Sequence, residues 1–231
     1  MKALTTCALL WLLALVPALA QTFEMRPVPA FTAIEVSSGV ELNLTSGPAQ
    51  RVQAEADDSE ALEKVKTEVV DGVLKVTYDQ SWSWWGKKSN KHPKVNVTAA
   101  GLTGLEASSG SSVKVAGTYS TTSMKLGVSS GASMRATFQA NVLDMKLSSG
   151  ASAHLSGRAQ RFSATASSGA TLNAQDLTAT ACEASASSGA SMRVGVRSSL
   201  VAQASSGGSV RYEGSPEVRK QTSSGGSVTA M

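Results

Sequence analysis

The sequence predicts an all-β fold: a single-stranded, right-handed parallel β-helix, or solenoid, with a short helix and a hairpin in its N-terminal part. Two observations predict this fold. Apolar and polar residues alternate along most of the chain, as they do in strands with one buried face. The tripeptide Ser-Ser-Gly also recurs, and its glycines are Gly39, Gly110, Gly131, Gly150, Gly169, Gly189, Gly207 and Gly225.

The spacing of these glycines divides residues 101–231 into seven coils of about nineteen residues each. In each coil the third and fifth residues after the glycine are mostly apolar, and the fourth is mostly polar. The third-position residues are Val113, Met134, Ala153, Leu172, Met192, Val210 and Val228. Strands that recur once per coil cannot pair within their own coil. We therefore expect parallel pairing with the next coil, at about 4.8 Å.

A second strand precedes each glycine. Seven and five residues before it the side chains are again mostly apolar, and Cys182 occupies one of these inward positions. We therefore expect Cys182 to be a buried structural thiol. The remainder of each coil, such as residues 157–161, is expected to form a turn or a third side. The glycine suits a corner that needs positive φ, so substitution of Gly150 or Gly169 is expected to destabilise the fold.

The N-terminal part is less regular. Alternation predicts strands over residues 31–36, 40–44, 50–56 and 94–98. The polar run 57–59 offers an N-cap for a short helix over residues 60–65. Asp71-Gly72 is a strong hairpin signal between two further strands, residues 66–70 and 73–78.

The first twenty residues have the order of a secretory signal. A lysine is followed by an apolar stretch over residues 8–16 and by small residues that end at Ala20. We expect cleavage after Ala20, which leaves a single exported domain, residues 21–231, in the periplasm, at the cell surface or outside the cell. No later run approaches the roughly 18 apolar residues that span a bilayer, so no transmembrane anchor is expected.

The charge distribution argues against a nucleic-acid partner. Residues 101–231 contain 11 basic and 6 acidic residues, which falls short of the dense basic surface of a nucleic-acid-binding protein. An anionic polysaccharide or lipid surface would still respond to this excess. Cys182 is the only cysteine after the predicted signal, so no intramolecular disulfide is expected.

No catalytic residue, metal site or cofactor is predicted. A nucleophilic serine needs a base and an orienting partner. The chain has two histidines, His92 and His154, and His154 occupies the outward fourth position together with Lys, Arg and Asn. The acids of residues 101–231 fall at different places in the coil, which does not support a paired-carboxylate or calcium site.

Two surfaces are candidates for ligand binding. The first is the fourth-position column, called here the basic column, whose candidate residues are Lys114, Arg135, His154, Arg193 and Arg211. It is either an ordinary solvated sheet face or a strip that binds acidic glycan or phosphate groups.

The second surface is a Trp-rich loop, residues 79–93, within irregular N-terminal coils that span residues 21–100. Its candidate contact residues are Trp82, Trp84, Trp85, Lys87 and Lys88. Clustered aromatic rings favour sugar faces, membrane interfaces or a partner protein. The alternative is that they cover an open end or side of the solenoid.

Several of these segments together resemble a known family. The run from Phe31 to Gly39, the sequence Val69 to Leu74, the entry Leu102 to Leu105 and the serial Ser-Ser-Gly coils are similar to the family called putative autotransporter adhesin head GIN domain, also known as DUF2807. The resemblance covers about residues 28–231. It implies a bacterial, exported, GIN-like β-helix domain whose biochemical function is undetermined and from which no catalytic residues are transferred.

The preferred hypothesis is a non-catalytic adhesion or envelope-interaction scaffold that binds a polysaccharide or cell-surface component. Two alternatives stay open: a carbohydrate-active β-helix enzyme and a structural envelope component that self-assembles. Each is compatible with an oligomer.

Overall fold

The computed structural model describes residues 22–79 and 93–231. The predicted signal and nearly all of the Trp-rich loop lie outside these residues. The elements of the N-terminal part are β1 Thr22–Met25, β2 Ala33–Val36, β3 Glu41–Thr45, β4 Arg51–Ala56, α1 Ser59–Lys64, β5 Val65–Val70, β6 Val73–Tyr78, β7 Lys94–Thr98 and β8 Gly104–Ala107. The remaining strands are β9 Ser112–Val128, β10 Ser133–Leu147, β11 Ser152–Ala166, β12 Thr171–Ala186, β13 Ser191–Ala204, β14 Ser209–Glu213, β15 Glu217–Thr222 and β16 Ser227–Ala230.

Parallel stacking of coils builds the regular part of the molecule. Strands β9 to β13 each run through nearly a whole coil and pair in parallel with the strand of the next coil. Met134, for example, is the register partner of Val113 on one side and of Ala153 on the other. The predicted β-solenoid is therefore confirmed, and its right-handed winding stays a prediction.

The Ser-Ser-Gly tripeptide forms the corner between successive coils. At Ser168 and Gly169 the φ angles are 52° and 71°, and the Ala170 N–H donates to the Ser167 carbonyl oxygen at 3.1 Å. Two central residues with positive φ are the signature of a type I′ turn. The Gly169 N–H then donates to the Ser188 carbonyl oxygen of the next coil at 3.0 Å. The predicted corner is confirmed, and its second serine shares the left-handed conformation of the glycine.

The core is a narrow stack of inward columns. Many inward residues are alanine, and the largest side chains include Tyr119, Phe138 and Phe162, which are almost fully buried. The rings of Tyr119 and Phe138 pack edge to face with centroids 6.3 Å apart. The Tyr119 hydroxyl donates to the Ala99 carbonyl oxygen at 3.2 Å and accepts from the Leu102 N–H at 3.2 Å. Burial raises the pKa of this phenol above its usual value.

The N-terminal coils do not stack in the order of the sequence. β2 and β3 lie between the coil of β6 and β7 and the coil of β8 and β9. Outside them, β4 pairs antiparallel with β7, β1 with β4, and β5 with β6. Antiparallel strands therefore cover this end of the parallel stack. They take the place of the capping repeat that a solenoid needs at its end.

The short helix and the hairpin predicted in the N-terminal part are confirmed. Helix α1 begins after Asp58, whose side chain accepts the Ala61 N–H at 2.8 Å. Strands β5 and β6 form the hairpin, and Asp71 and Gly72 both have positive φ at its turn.

Candidate functional site

The fold brings the predicted basic residues into one outward column. Lys114 pairs with Arg135, Arg135 with His154, and His154 with Asn173. Beyond that residue the column continues through Arg193 and Arg211. Five steps of about 4.8 Å give the basic column a length of roughly 24 Å.

The basic column is only partly neutralised by neighbouring acids. Lys114 Nζ lies 2.9 Å from Glu41 Oε1, and His154 Nε2 lies 3.6 Å from Asp176 Oδ2. Arg135, Arg193 and Arg211 form no ion pair with any residue that the structure describes. Three guanidinium groups on one sheet face are therefore free to contact a ligand.

Hydroxyl groups flank the basic column. Two residues before each position of this column, Asn173 included, lies a serine or threonine, and the members of this row include Ser112, Ser133, Ser152, Thr171, Ser191 and Ser209. The Ser133 hydroxyl donates to the Ser112 hydroxyl oxygen at 3.2 Å. The face thus presents cations beside donors and acceptors of hydrogen bonds.

The five residues predicted at the Trp-rich loop lie outside the described part of the chain. The flanking strands β6 and β7 are described, and they belong to the outermost parallel coil. The Ser37 N–H donates to the Val76 carbonyl oxygen at 3.0 Å, and the Glu41 N–H donates to the Pro93 carbonyl oxygen at 2.9 Å. In the neighbouring coil, the Ser-Ser-Gly turn that ends at Gly39 connects β2 to β3, the strands that pair with β6 and β7. The end of β6 and the start of β7 therefore lie at a corner of the solenoid, near the N-terminal end of the stacked coils.

A groove lies further along the same strands than the basic column, past the register shifts that follow Arg135 and His154. Its volume is about 710 Å³, and it is lined by Ser120, Thr121, Thr122, Gln139, Ala140, Asn141, Arg158, Ala159, Gln160, Thr178, Thr180 and Arg197. None of these residues is acidic. The buried residues Ala140 and Ala159 form the floor between two rows of exposed polar side chains.

The sequence reasoning missed this groove, although a signal for it exists. In β10 the inward residues alternate up to Ala140 and resume at Leu143, so Asn141 and Val142 turn outward in succession. Such a change of phase marks a bend in a strand. Alternation alone does not show that the outward side chains on both sides of the bend enclose a groove.

The described residues offer little support for a catalytic or metal site. His154 has a carboxylate neighbour, but no group of three or more His, Cys, Asp or Glu side chains within residues 22–79 and 93–231 is arranged to hold a metal ion. Cys182 is 4% exposed, as predicted for a structural thiol. Burial, together with the nearby Glu183 carboxylate, raises the pKa of this thiol to about 12, which keeps the thiol protonated at neutral pH.

Residues 30–216 match the model of a family described as "Putative auto-transporter adhesin, head GIN domain". No curated protein sequence matches the chain. In the part of the chain that the structure describes, no helix is long and apolar enough to cross a membrane.

Solved structures share the fold. A crystal structure of a putative adhesin from Bacteroides fragilis has a TM-score of 0.79 at 17% identity and covers 93% of this chain and 99% of that chain. A putative adhesin from Parabacteroides distasonis has a TM-score of 0.71 at 18% identity, covering 92% of this chain and 97% of that chain. A putative lipid binding protein from Parabacteroides distasonis has a TM-score of 0.67 at 18% identity, covering 91% and 96%. At these identities the similarity establishes the common fold.

Proposed function

Because the chain belongs to the auto-transporter adhesin head GIN domain family, we propose that it is an exported, non-catalytic adhesion module whose basic column binds an acidic glycan. Family membership supports a role in adhesion and a location at the surface or outside the cell. The observation that carries the ligand class is the alignment of Lys114, Arg135, His154, Arg193 and Arg211 on successive strands.

A sheet face with this spacing suits a repeating anion. Neighbouring positions are about 4.8 Å apart, so an extended polymer that lies along the column can place carboxylate or sulfate groups opposite several cations. Each exposed pair contributes little by itself. Several such contacts on one rigid surface add up to useful affinity, and the affinity falls as salt screens the charges.

The test is retention of the purified chain, residues 21–231, on an array of acidic and neutral glycans. We expect Arg193→Gln/Arg211→Gln to weaken binding to the acidic glycans about tenfold, since it removes two exposed ion pairs of up to about 1 kcal/mol each and about 1.4 kcal/mol corresponds to tenfold. The matched control, Lys125→Gln/Lys146→Gln, removes two exposed charges from another face and should leave binding within about twofold. Binding that is unchanged between low and high ionic strength would contradict the proposal.

The Trp-rich loop is proposed as a second contact of the adhesion module. Trp84→Ala and Trp85→Ala should abolish retention on glycans without lowering the melting temperature, because aromatic rings stack on sugar faces. A fall in stability without a change in retention would favour a covering role for these rings. Release of new reducing ends or unsaturated products from a bound glycan would show that the protein is an enzyme instead. Concentration-dependent assembly without glycan binding would favour the structural alternative.

A further inference from the structure

We propose that the polar groove of about 710 Å³, further along the strands than the basic column, is a separate binding site for a single acidic oligosaccharide chain. The proposal does not depend on the basic column, since the two surfaces share no residue. It goes beyond the proposed function because it assigns recognition of an individual glycan chain to a second surface of the solenoid.

The two walls of the groove are rows of hydrogen-bonding side chains. Register pairing aligns one wall, whose members are Ser120, Gln139, Arg158 and Thr178. The opposite wall lies two residues further along each strand and consists of Thr122, Asn141, Gln160, Thr180 and Arg197. Arg197 joins this wall because it follows Val196, the register partner of Ala179.

Buried alanine positions form the floor of the groove. Ala140 and Ala159 are the register partners of each other, and both are buried beneath the walls. The groove spans five coils, which at about 4.8 Å per step is roughly 19 Å. A flat sheet face does not enclose a chain in this way.

The chemistry of the walls favours a sugar polymer that carries anions. Amides and hydroxyls can each donate and accept, which matches the hydroxyl groups of a sugar. The guanidinium groups of Arg158 and Arg197 form no ion pair or hydrogen bond with the described residues. They stand on opposite walls and two coils apart, about 10 Å along the groove axis. A guanidinium binds carboxylate or sulfate in a bidentate manner.

Neutral sugars are a poorer match for the groove. Proteins commonly bind them by stacking aromatic rings on sugar faces, and no aromatic residue lines the groove. The arginines therefore supply the main source of affinity, and the amides and hydroxyls supply orientation.

The experiment is isothermal titration calorimetry of residues 21–231 with hexasaccharides of galacturonic acid, of a sulfated glycosaminoglycan and of glucose. The first two differ in carrying carboxylate alone or also sulfate, and the third is neutral. We expect binding of at least one acidic hexasaccharide and none of the glucose hexasaccharide. Arg158→Gln/Arg197→Gln should weaken this binding by about tenfold or more.

Two further variants test the groove itself. Gln139→Trp should block the groove without changing charge, so it should also abolish binding. Lys125→Gln/Lys146→Gln, which removes two exposed charges that belong to neither surface, should leave the affinity of the hexasaccharide within about twofold. All of the substituted side chains are exposed, and unchanged thermal melting verifies that each variant is folded.

Several results would overturn the groove assignment. They are loss of binding only in the basic-column variant, equal binding of the glucose hexasaccharide, unchanged binding in both groove variants, and no binding of either acidic hexasaccharide to the unsubstituted chain. The first of these would leave the proposed function intact while removing the groove. Loss of binding in the groove variants would support the groove, and retention of long acidic glycans by the basic-column variant tests the basic column independently.

Discussion

Gly157 offers a direct test of how tightly the coils are stacked. Its φ is 106°, and a Cβ atom at this position would overlap the carbonyl oxygen of Phe138 and stand 3.0 Å from the carbonyl carbon. The contacted atoms are backbone atoms of the preceding coil, where Phe138 is buried and paired with Tyr119. Relief of the overlap would therefore require separation of two paired strands. We expect Gly157→Ala to be severely destabilising.

The magnitude follows from two contributions. The left-handed backbone costs a non-glycine residue about 1–3 kcal/mol, and forcing extra volume into a packed site costs about 1–3 kcal/mol more. The expected loss in free energy of unfolding is therefore about 2–6 kcal/mol. Gly169 is the matched control, since its φ is 71° but no atom lies within 4 Å of a Cβ built there. Gly169→Ala should cost only about 1–2 kcal/mol.

The assay is urea unfolding of both variants, followed by circular dichroism. A third variant, Gly169→Asn, should be more stable than Gly169→Ala because asparagine tolerates the left-handed region better than other residues. If Gly157→Ala lost no more stability than Gly169→Ala, the close approach between coils would not limit the side chain at this position, and the reasoning would be refuted.

Two other predictions concern buried side chains. Burial raises the pKa of the Cys182 thiol from 9.0 to about 12. The contribution of this thiol to the free energy of unfolding is therefore constant below about pH 9. It falls as pH rises from 9 to about 12, by up to about 1.4 kcal/mol per pH unit. Cys182→Ala should remove this part of the alkaline decline in urea titrations, and an unchanged pH profile would contradict it. Phe162→Ala should cost about 3–5 kcal/mol because it leaves a cavity in the core. Phe23→Ala, at a position 66% exposed, should stay within about 0.5 kcal/mol, and equal melting temperatures for the two variants would refute the assigned core.

The regular coils could be predicted because their signals are local. A Ser-Ser-Gly turn and period-2 alternation depend on neighbouring residues, and stacking of identical coils then aligns the columns without further information. The inward row from Val113 to Val228 and the outward row from Lys114 to Arg211 both follow from this rule. The helix cap at Asp58 and the turn at Asp71 are local signals of the same kind.

The order of the N-terminal strands could not be predicted in this way. Alternation in β6 and β7 shows that one face is buried, but it does not show that these strands lie outside β2 and β3. β1 was not predicted at all, since Phe23 and Met25 are both exposed and its pattern lacks a buried face. Pairing partners that are distant in sequence, rather than local preferences, determine both features.

The basic column bears a cost that the fold does not require. Arg193 and Arg211 are direct neighbours on adjacent strands, and like charges at such positions destabilise a sheet. Asn173 and Thr229 occupy the same column, so a neutral polar residue satisfies the fold there. The Arg193→Gln/Arg211→Gln variant used to test glycan binding should therefore unfold at the same or a slightly higher urea concentration while it loses its ligand. Residues that reduce stability but are needed for binding are typical of functional sites. A parallel loss of stability and binding would instead mean that the column supports the fold, and the physical argument for the proposed ligand would no longer hold.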